Sequence, residues 1–361
     1  MNRARSLGAV TLALVISLVV AACAPTVTHL PQTTVTAEPT NVPSREAAPT
    51  PPPDPRPAVI WPLTGLDATE ASEVQRDRPA LNIKIENSSA ARPQSNLEFA
   101  DVVFEEYVEA GISRLIAVYH SDYPKSVGPI RSLRPMDRNL VSQFSKVIVF
   151  SGAQRRFINA ARQSGMVTIA QDVGSYGFFR TKDKPAPHNL HGYLEDFQQQ
   201  SKGEVAPKQQ WAFAYPADLA TATMEGKDAS TIKINMSAYA KPQWKWDEDK
   251  GVWLRYERDT PHTTMAGTQL SAANVVMLWV TIQYTSAPKS VPETLVAGKS
   301  GKGYIATAGS YIPIKWSKKG QWDPFVFTTA DGEPVVFAPG QTWVELVPNK
   351  GVGHSTSIDF S

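Results

Sequence analysis

The sequence predicts an α+β fold: a mixed α/β N-terminal domain (59–210), a connection (211–229) and a small, mainly antiparallel β C-terminal domain (230–350). Three observations predict it. Between Pro79 and Lys208, short apolar or alternating runs are interleaved with segments of helical spacing. From Ser230 onward, short β-rich runs recur between Gly, Pro and Asp-Gly turns. The 361 residues are 42% hydrophobic and 9% aromatic, enough for one large or two modest cores.

The elements follow in order. Residues 1–22 read as a lipoprotein signal peptide: Arg3 and Arg5 precede an uncharged run from Leu7 to Ala22, too short for an ordinary transmembrane helix. Val20-Ala21-Ala22-Cys23 resembles the bacterial lipobox, and Cys23, the lone cysteine, is the expected lipid-attachment site. One cysteine excludes an intrachain disulfide, a four-cysteine zinc site and a CxxC redox pair. Residues 23–58 form a Pro/Thr-rich stalk; Ala24 to Ala58 holds ten prolines, which favour an extended spacer. The expected location is therefore the extracytoplasmic face of the cell membrane, lipid-anchored, with the membrane as first partner.

Ala80-Leu81-Asn82-Ile83-Lys84-Ile85 alternates apolar and polar, the period of a half-buried strand. Asp101 to Val108 and Ser113 to His120 are β-rich runs joined by Glu109-Ala110-Gly111-Ile112, a hairpin signal. Pro135 to Phe144 has helical spacing, with Met136, Leu140 and Phe144 on one face. Lys146 to Phe150 is a short buried strand, and Gln154 to Gln163 a second helix with Phe157, Ile158 and Ala161 inward and Gly165 as its stop. The C-terminal strands are Val252 to Tyr256, Asn274 to Tyr284, Gly303 to Ala308, Tyr311 to Trp316, Phe325 to Thr328, Pro334 to Phe337 and Thr342 to Val347. Asp331-Gly332 turns one pair. Seven of the nine tryptophans fall here; they suit a core and could also stack on sugars.

Charge narrows the function. Thirty-six Lys and Arg against 34 Asp and Glu leave +2, which argues against nucleic acid as a partner and against an acidic disordered chain. Within Gly111 to Gly165, nine basic residues face two acidic ones, a local balance of +7. Gly128-Pro129-Ile130-Arg131-Ser132-Leu133-Arg134-Pro135 is the sharpest string: Arg131 and Arg134 precede a helix start, where N–H groups favour an anion. Arg114, Arg138 and Arg180 complete the expected anion-binding set, since guanidinium suits phosphate and carboxylate.

In Asp183-Lys184-Pro185-Ala186-Pro187-His188-Asn189-Leu190-His191, the prolines fix a loop in which His188 and Asn189 can touch a ligand or steady Arg180. His188 and His191 have HxxH spacing without a third ligand, so no metal is expected. Glu105 and Glu106 are adjacent in a strand and point to opposite faces; they cannot flank one bond, and a salt bridge to Arg114 is the expected use. No GxSxG, GxxxxGK[ST] or GxGxxG motif is present, so neither nucleophile nor cofactor is expected.

Several of these strings also carry a resemblance. Ala91-Arg92-Pro93-Gln94-Ser95, Ala100 to Glu106, Gly111-Ile112-Ser113-Arg114, Gly128 to Pro135, Ala186 to Leu190, Leu270 to Val276 and Pro339-Gly340-Gln341-Thr342-Trp343 resemble, in order, the YerB-like bacterial lipoproteins. The resemblance spans roughly Trp61 to Pro348 and implies an N-terminal and a C-terminal domain on a lipid anchor, with no activity attached. Pro261 to Gly267 departs from the family pattern, in which an acidic residue is expected. The order of strand, turn and Arg-bearing segment is also similar in layout alone to the LytR-CpsA-Psr phosphotransferases, which hold a polyprenyl-phosphate-linked glycan with arginines.

The resulting expectation is a lipid-anchored envelope protein that binds an anionic component through an Arg-rich face. Its partners would be an anionic glycan, polyprenyl phosphate or cell-wall synthesis proteins. The alternative is an enzyme, phosphotransferase-like or a hydrolase, acting on a phosphate-linked envelope glycan.

Overall fold

A computed structural model describes residues 55–201, 203–287 and 290–361. The signal segment, most of the stalk and Cys23 lie outside the described residues. The described residues form one compact unit.

The N-terminal part supplies strands β1 (Leu81–Glu86), β2 (Val102–Tyr107), β3 (Ser113–Tyr119), β4 (Val147–Phe150) and β5 (Val167–Ala170), with helix α1 (Arg155–Gln163) between the last two. The C-terminal part supplies β6 (Thr231–Asn235), β7 (Pro242–Asp247), β8 (Val252–Glu257), β9 (Asn274–Tyr284), β10 (Lys299–Thr307), β11 (Ser310–Lys318), β12 (Thr342–Lys350) and β13 (Ser357–Phe360). The central sheet runs β11-β10-β9-β12-β2-β3-β1-β4-β5. A second sheet runs β8-β7-β6-β13.

The coarse α+β expectation holds, in a more β-rich form. The connection at 211–229 divides the sequence, but the central sheet crosses it. β12 lies parallel between β9 and β2, pairing Asn274 and Val102 both with Thr342, and Glu105 with Glu345. A parallel neighbour so distant in sequence leaves no local signal.

Both faces of the sheet are covered around its centre. Alternate residues Val102, Phe104, Ile116, Ile148, Val276 and Leu346 pack under Met136, Leu140, Phe144 and α1's Phe157, Ile158 and Ala161. The opposite set, including Val103, Ala117, Val149, Met277 and Trp343, packs on Ile232, Ile234, Trp244 and Trp253 of the second sheet. Double coverage corrects the half-buried reading of β1, all six of whose residues are buried. Its polar positions are satisfied internally: Asn82 Nδ2 donates to the carbonyls of Ser145 (3.2 Å) and Val147 (2.7 Å), and Lys84 Nζ meets Glu106 and, at 3.0 Å, Asp137 Oδ1. The helix expected over 135–144 is one short turn, Asp137–Val141, though its apolar face is as read.

Candidate functional site

The string 128–135 is laid across the ends of the central strands. Arg131 N donates to Lys84 O (2.8 Å), Ser151 N to Arg131 O (3.0 Å), Leu133 N to Gly152 O (3.0 Å) and Ile130 N to Leu190 O (2.6 Å). This pins the backbone on three sides and leaves Arg131 and Arg134 to project. Gly128 is required here: a Cβ would stand 2.5 Å from the His191 ring. Gly152 is equally constrained, since its Cβ would lie 2.4 Å from Asp172 Oδ2.

A cleft of about 390 Å³ opens between this string and the 178–193 hairpin, lined among others by Arg131, Arg134, Arg180, Glu109 and Asp172. The hairpin pairs Phe178–Arg180 with Leu190–Tyr193. It sets Arg180 beside Asn189, whose Oδ1 accepts from Arg180 Nη1 at 2.8 Å while its Nδ2 donates to Thr181 O at 2.8 Å. Arg114 lies beneath, its Nη1 donating to Ser132 O at 3.1 Å. Burial, then the charge of Arg134, pushes the Arg114 pKa down to about 10.

The four cations are unequally matched. Glu109 takes Arg134 with both oxygens, at 2.8 Å each. Arg131 Nε stands 3.5 Å from Glu86 Oε1. Among the described residues, Arg114 and Arg180 have no carboxylate within 4.0 Å. The Nε groups of Arg114 and Arg131 are buried without an acceptor. A site with spare positive charge and unused donors is suited to a phosphate or carboxylate.

Three sequence readings are corrected. Arg138 is not among the residues lining the cleft; its charge acts on Glu293, on the strand Pro292–Leu295, because it leaves its short helix on another side. Nor does a helix N-terminus contribute: Asp137 occupies the start of that turn, and its Oδ2 accepts from Arg134 N at 2.8 Å. The expected Arg114 salt bridge to Glu105 or Glu106 is replaced as well. Glu106 faces Lys84 and Asp137; Glu105 faces Arg255, with Asn87 Nδ2 at 3.2 Å.

The two histidines of the HxxH spacing diverge. His191 is buried, with Nε2 3.1 Å from Ser95 Oγ and Nδ1 3.2 Å from Asn189 O, and burial lowers its pKa. His188 is partly exposed and its Nδ1 sits 2.9 Å from Glu86 Oε1. Glu86 is the residue that sequence reasoning missed. It closes β1, its side chain is 3% exposed, Ser88 Oγ donates to it at 3.0 Å, and its Oε2 is buried without a partner. The available signal was an acid at the end of an alternating strand; the β1–β3 register sets it directly opposite Arg114.

With this geometry in place, known proteins can be compared. The family described as protein of unknown function (DUF3048), N-terminal domain, matches residues 63–207, and its C-terminal domain matches 232–344. YerB of Bacillus subtilis (strain 168), named as a candidate lipoprotein, is 26% identical over 297 residues, covering 80% of this chain and 86% of YerB. The crystal structure of Bacillus subtilis YerB superimposes with a TM-score of 0.69 at 22% identity, over 83% of this chain and 99% of that one. Matched in order by both domains, the chain belongs to the DUF3048 family, the family of YerB.

Proposed function

We propose that the chain is a lipid-anchored protein of the extracytoplasmic membrane face that binds an anionic envelope component in the cleft of Arg131, Arg134 and Arg180. One observation carries the reading: three guanidiniums, of Arg131, Arg134 and Arg180, line the cleft above the buried Arg114, and Arg114 and Arg180 have only neutral acceptors. The lipobox ending in Cys23 and the lipoprotein name of YerB support the anchor. An anionic glycan, polyprenyl phosphate and an acidic surface on a cell-wall synthesis protein all carry the required charge.

The test is a titration of the full-length protein in detergent with polyprenyl phosphate, at low and moderate salt, wild type against Arg131→Ala/Arg134→Ala. The expected result is salt-sensitive binding that weakens at least tenfold in the double variant. Equal affinity in the two proteins, at equal thermal stability, sinks the cleft as the site.

The Glu86–His188 contact favours a second reading, an enzyme acting on a phosphate-linked glycan. A buried carboxylate on Nδ1 fixes the imidazole tautomer with Nε2 free to accept a proton. Product release by wild type but not by His188→Ala, at unchanged ligand affinity, would establish it.

A further inference from the structure

The far end of the central sheet carries side chains that the fold itself leaves unused. β9, β10 and β11 are neighbours there. Leu278 stands opposite Gly303, and Lys302 opposite Lys315. One step along each strand from the first pair places Trp279 opposite Lys302, so Trp279, Lys302 and Lys315 form a cross-strand row on one face. The adjacent row is Met277, Tyr304 and Pro313. The second sheet covers this face only as far as Phe360, which stacks on Tyr311 (3.6 Å between centroids) and meets Tyr304 edge-on at 5.1 Å. Beyond that edge lies an open hollow of about 290 Å³, lined by Trp279, Tyr304, Pro313, Lys302 and Lys315. A neighbouring hollow of about 350 Å³ continues along β10 past Ser300 and Ser317.

Three features of this groove are costly or idle in the protein alone. Like charges stand directly opposite each other, which disfavours the strand pair. Among the described residues neither lysine is in an ion pair, although Lys315 Nζ donates to Ala330 O at 2.8 Å. An indole and a phenol ring are left half-buried between the two ammonium groups and the rim of the second sheet. Aromatic faces offer flat apolar area, which matches the C–H face of a sugar ring. Lysines paired across neighbouring strands match an acidic substituent on the same sugar or the next.

We propose that the Trp279–Lys302–Lys315 groove is a binding site for an acidic polysaccharide, with a sugar ring on Trp279 and its carboxylate or phosphate held between the lysines. The site is separate from the arginine cleft and does not depend on the reading given above for it. Calorimetric titration of the full-length protein with tetragalacturonate is the test, with cellotetraose as the uncharged sugar and polyphosphate as the sugar-free anion. Tetragalacturonate is expected to bind, and cellotetraose to bind at least tenfold more weakly. Trp279→Ala and Lys302→Gln/Lys315→Gln should each weaken tetragalacturonate binding at least tenfold, at an unchanged melting temperature. Arg131→Ala/Arg134→Ala should leave it within twofold, so the two sites stand or fall separately. No heat with tetragalacturonate at millimolar concentration overturns the proposal. So does a Trp279→Ala affinity within twofold of wild type, or polyphosphate binding that is lost in Trp279→Ala to the same degree.

Discussion

Two arginine environments sit on either side of the β2–β3 hairpin and are built on opposite plans. Arg255 is fully buried under the second sheet. Its guanidinium meets Glu105 and, at 3.1 Å, Glu257 Oε1, and lies 4.8 Å from the centroid of Trp343. Its Nη1 is 2.6 Å from His262 Nδ1, whose other nitrogen meets Gln94 Oε1 at 2.8 Å. Burial works against that charge, yet Glu105, Glu257 and Glu345 together raise the Arg255 pKa. Burial and the same arginine hold His262 neutral, well below the usual histidine range. Beneath the cleft the balance is reversed at Arg114, whose pKa is pushed down by burial and then by the charge of Arg134. Where carboxylates surround the charge inside the protein, arginine serves the fold; where a guanidinium lining a cleft has only neutral acceptors, as Arg180 does, its charge is available to a ligand.

The comparison breaks most sharply at Arg255. Arg255→Met would leave Glu105 and Glu345 facing each other without their cation. We expect a loss of about 3–5 kcal/mol in urea unfolding at pH 7. A loss below about 1 kcal/mol would show that the network is not closed in the way described. Any effect on ligand binding in the cleft should be small, since no cleft residue touches Arg255.

A second comparison is between the carboxylates the sheet buries with one cation and those it does not. Lys84 is shared by Glu106 and Asp137, leaving an excess negative charge that burial disfavours. Burial and the neighbouring Asp137 raise the Glu106 pKa to about 8, against 4.5 for an ordinary glutamate. Glu345 is likewise raised, by burial and then by Glu105. The folded state therefore holds protons that the unfolded chain has released, and stability falls as pH rises from about 4.5 toward 8. Below pH 6.5, buried His120, lowered to about 4, opposes this trend together with His191 and His262. Near pH 8 so does Lys318, lowered by burial to about 8, so the window in which the carboxylates dominate is about pH 6.5 to 7.5. There the wild type should lose about 1–2 kcal/mol, with a slope limited to ~1.4 kcal/mol per proton and pH unit. Glu106→Gln should flatten the profile to the share that Glu345 supplies. An unchanged slope would remove Glu106 as its source.

The arginine cleft was more legible in the sequence than the buried network. Arg131, Arg134, Arg180 and Asn189 could be grouped because turn-forming prolines and glycines hold them in short loops, and loops are local. The hairpin of β2 and β3, the apolar face of α1 and the span Asn274 to Tyr284 were legible for the same reason. Residues 80–85 read as a half-buried strand because period-2 alternation reports polarity, and in a doubly covered sheet polarity no longer reports exposure. Glu345 and Arg255 gave no signal, since Glu105 meets Glu345 through a parallel pairing 240 positions away and meets Arg255 across the two sheets, 150 positions away. Arg138 was drawn into the set by its neighbours in sequence; a helix of five residues turned it elsewhere.

The smallest expected effect tests how the open environment is kept in order. Asn189 is 7% exposed and bridges Arg180 to the Thr181 carbonyl. Asn189→Ala removes one bond from a guanidinium that still has Gln171 Oε1 at 3.4 Å, and should cost about 1 kcal/mol of stability. If Asn189 acts by aiming Arg180, both single variants weaken anion binding a few-fold and the double variant is no weaker than Arg180→Ala, a coupling of about 0.5–1 kcal/mol in a double-mutant cycle. Additive losses would instead mean that Asn189 touches the ligand itself. The cycle thus separates a residue that positions an arginine from one that binds, which the static contact of 2.8 Å leaves identical.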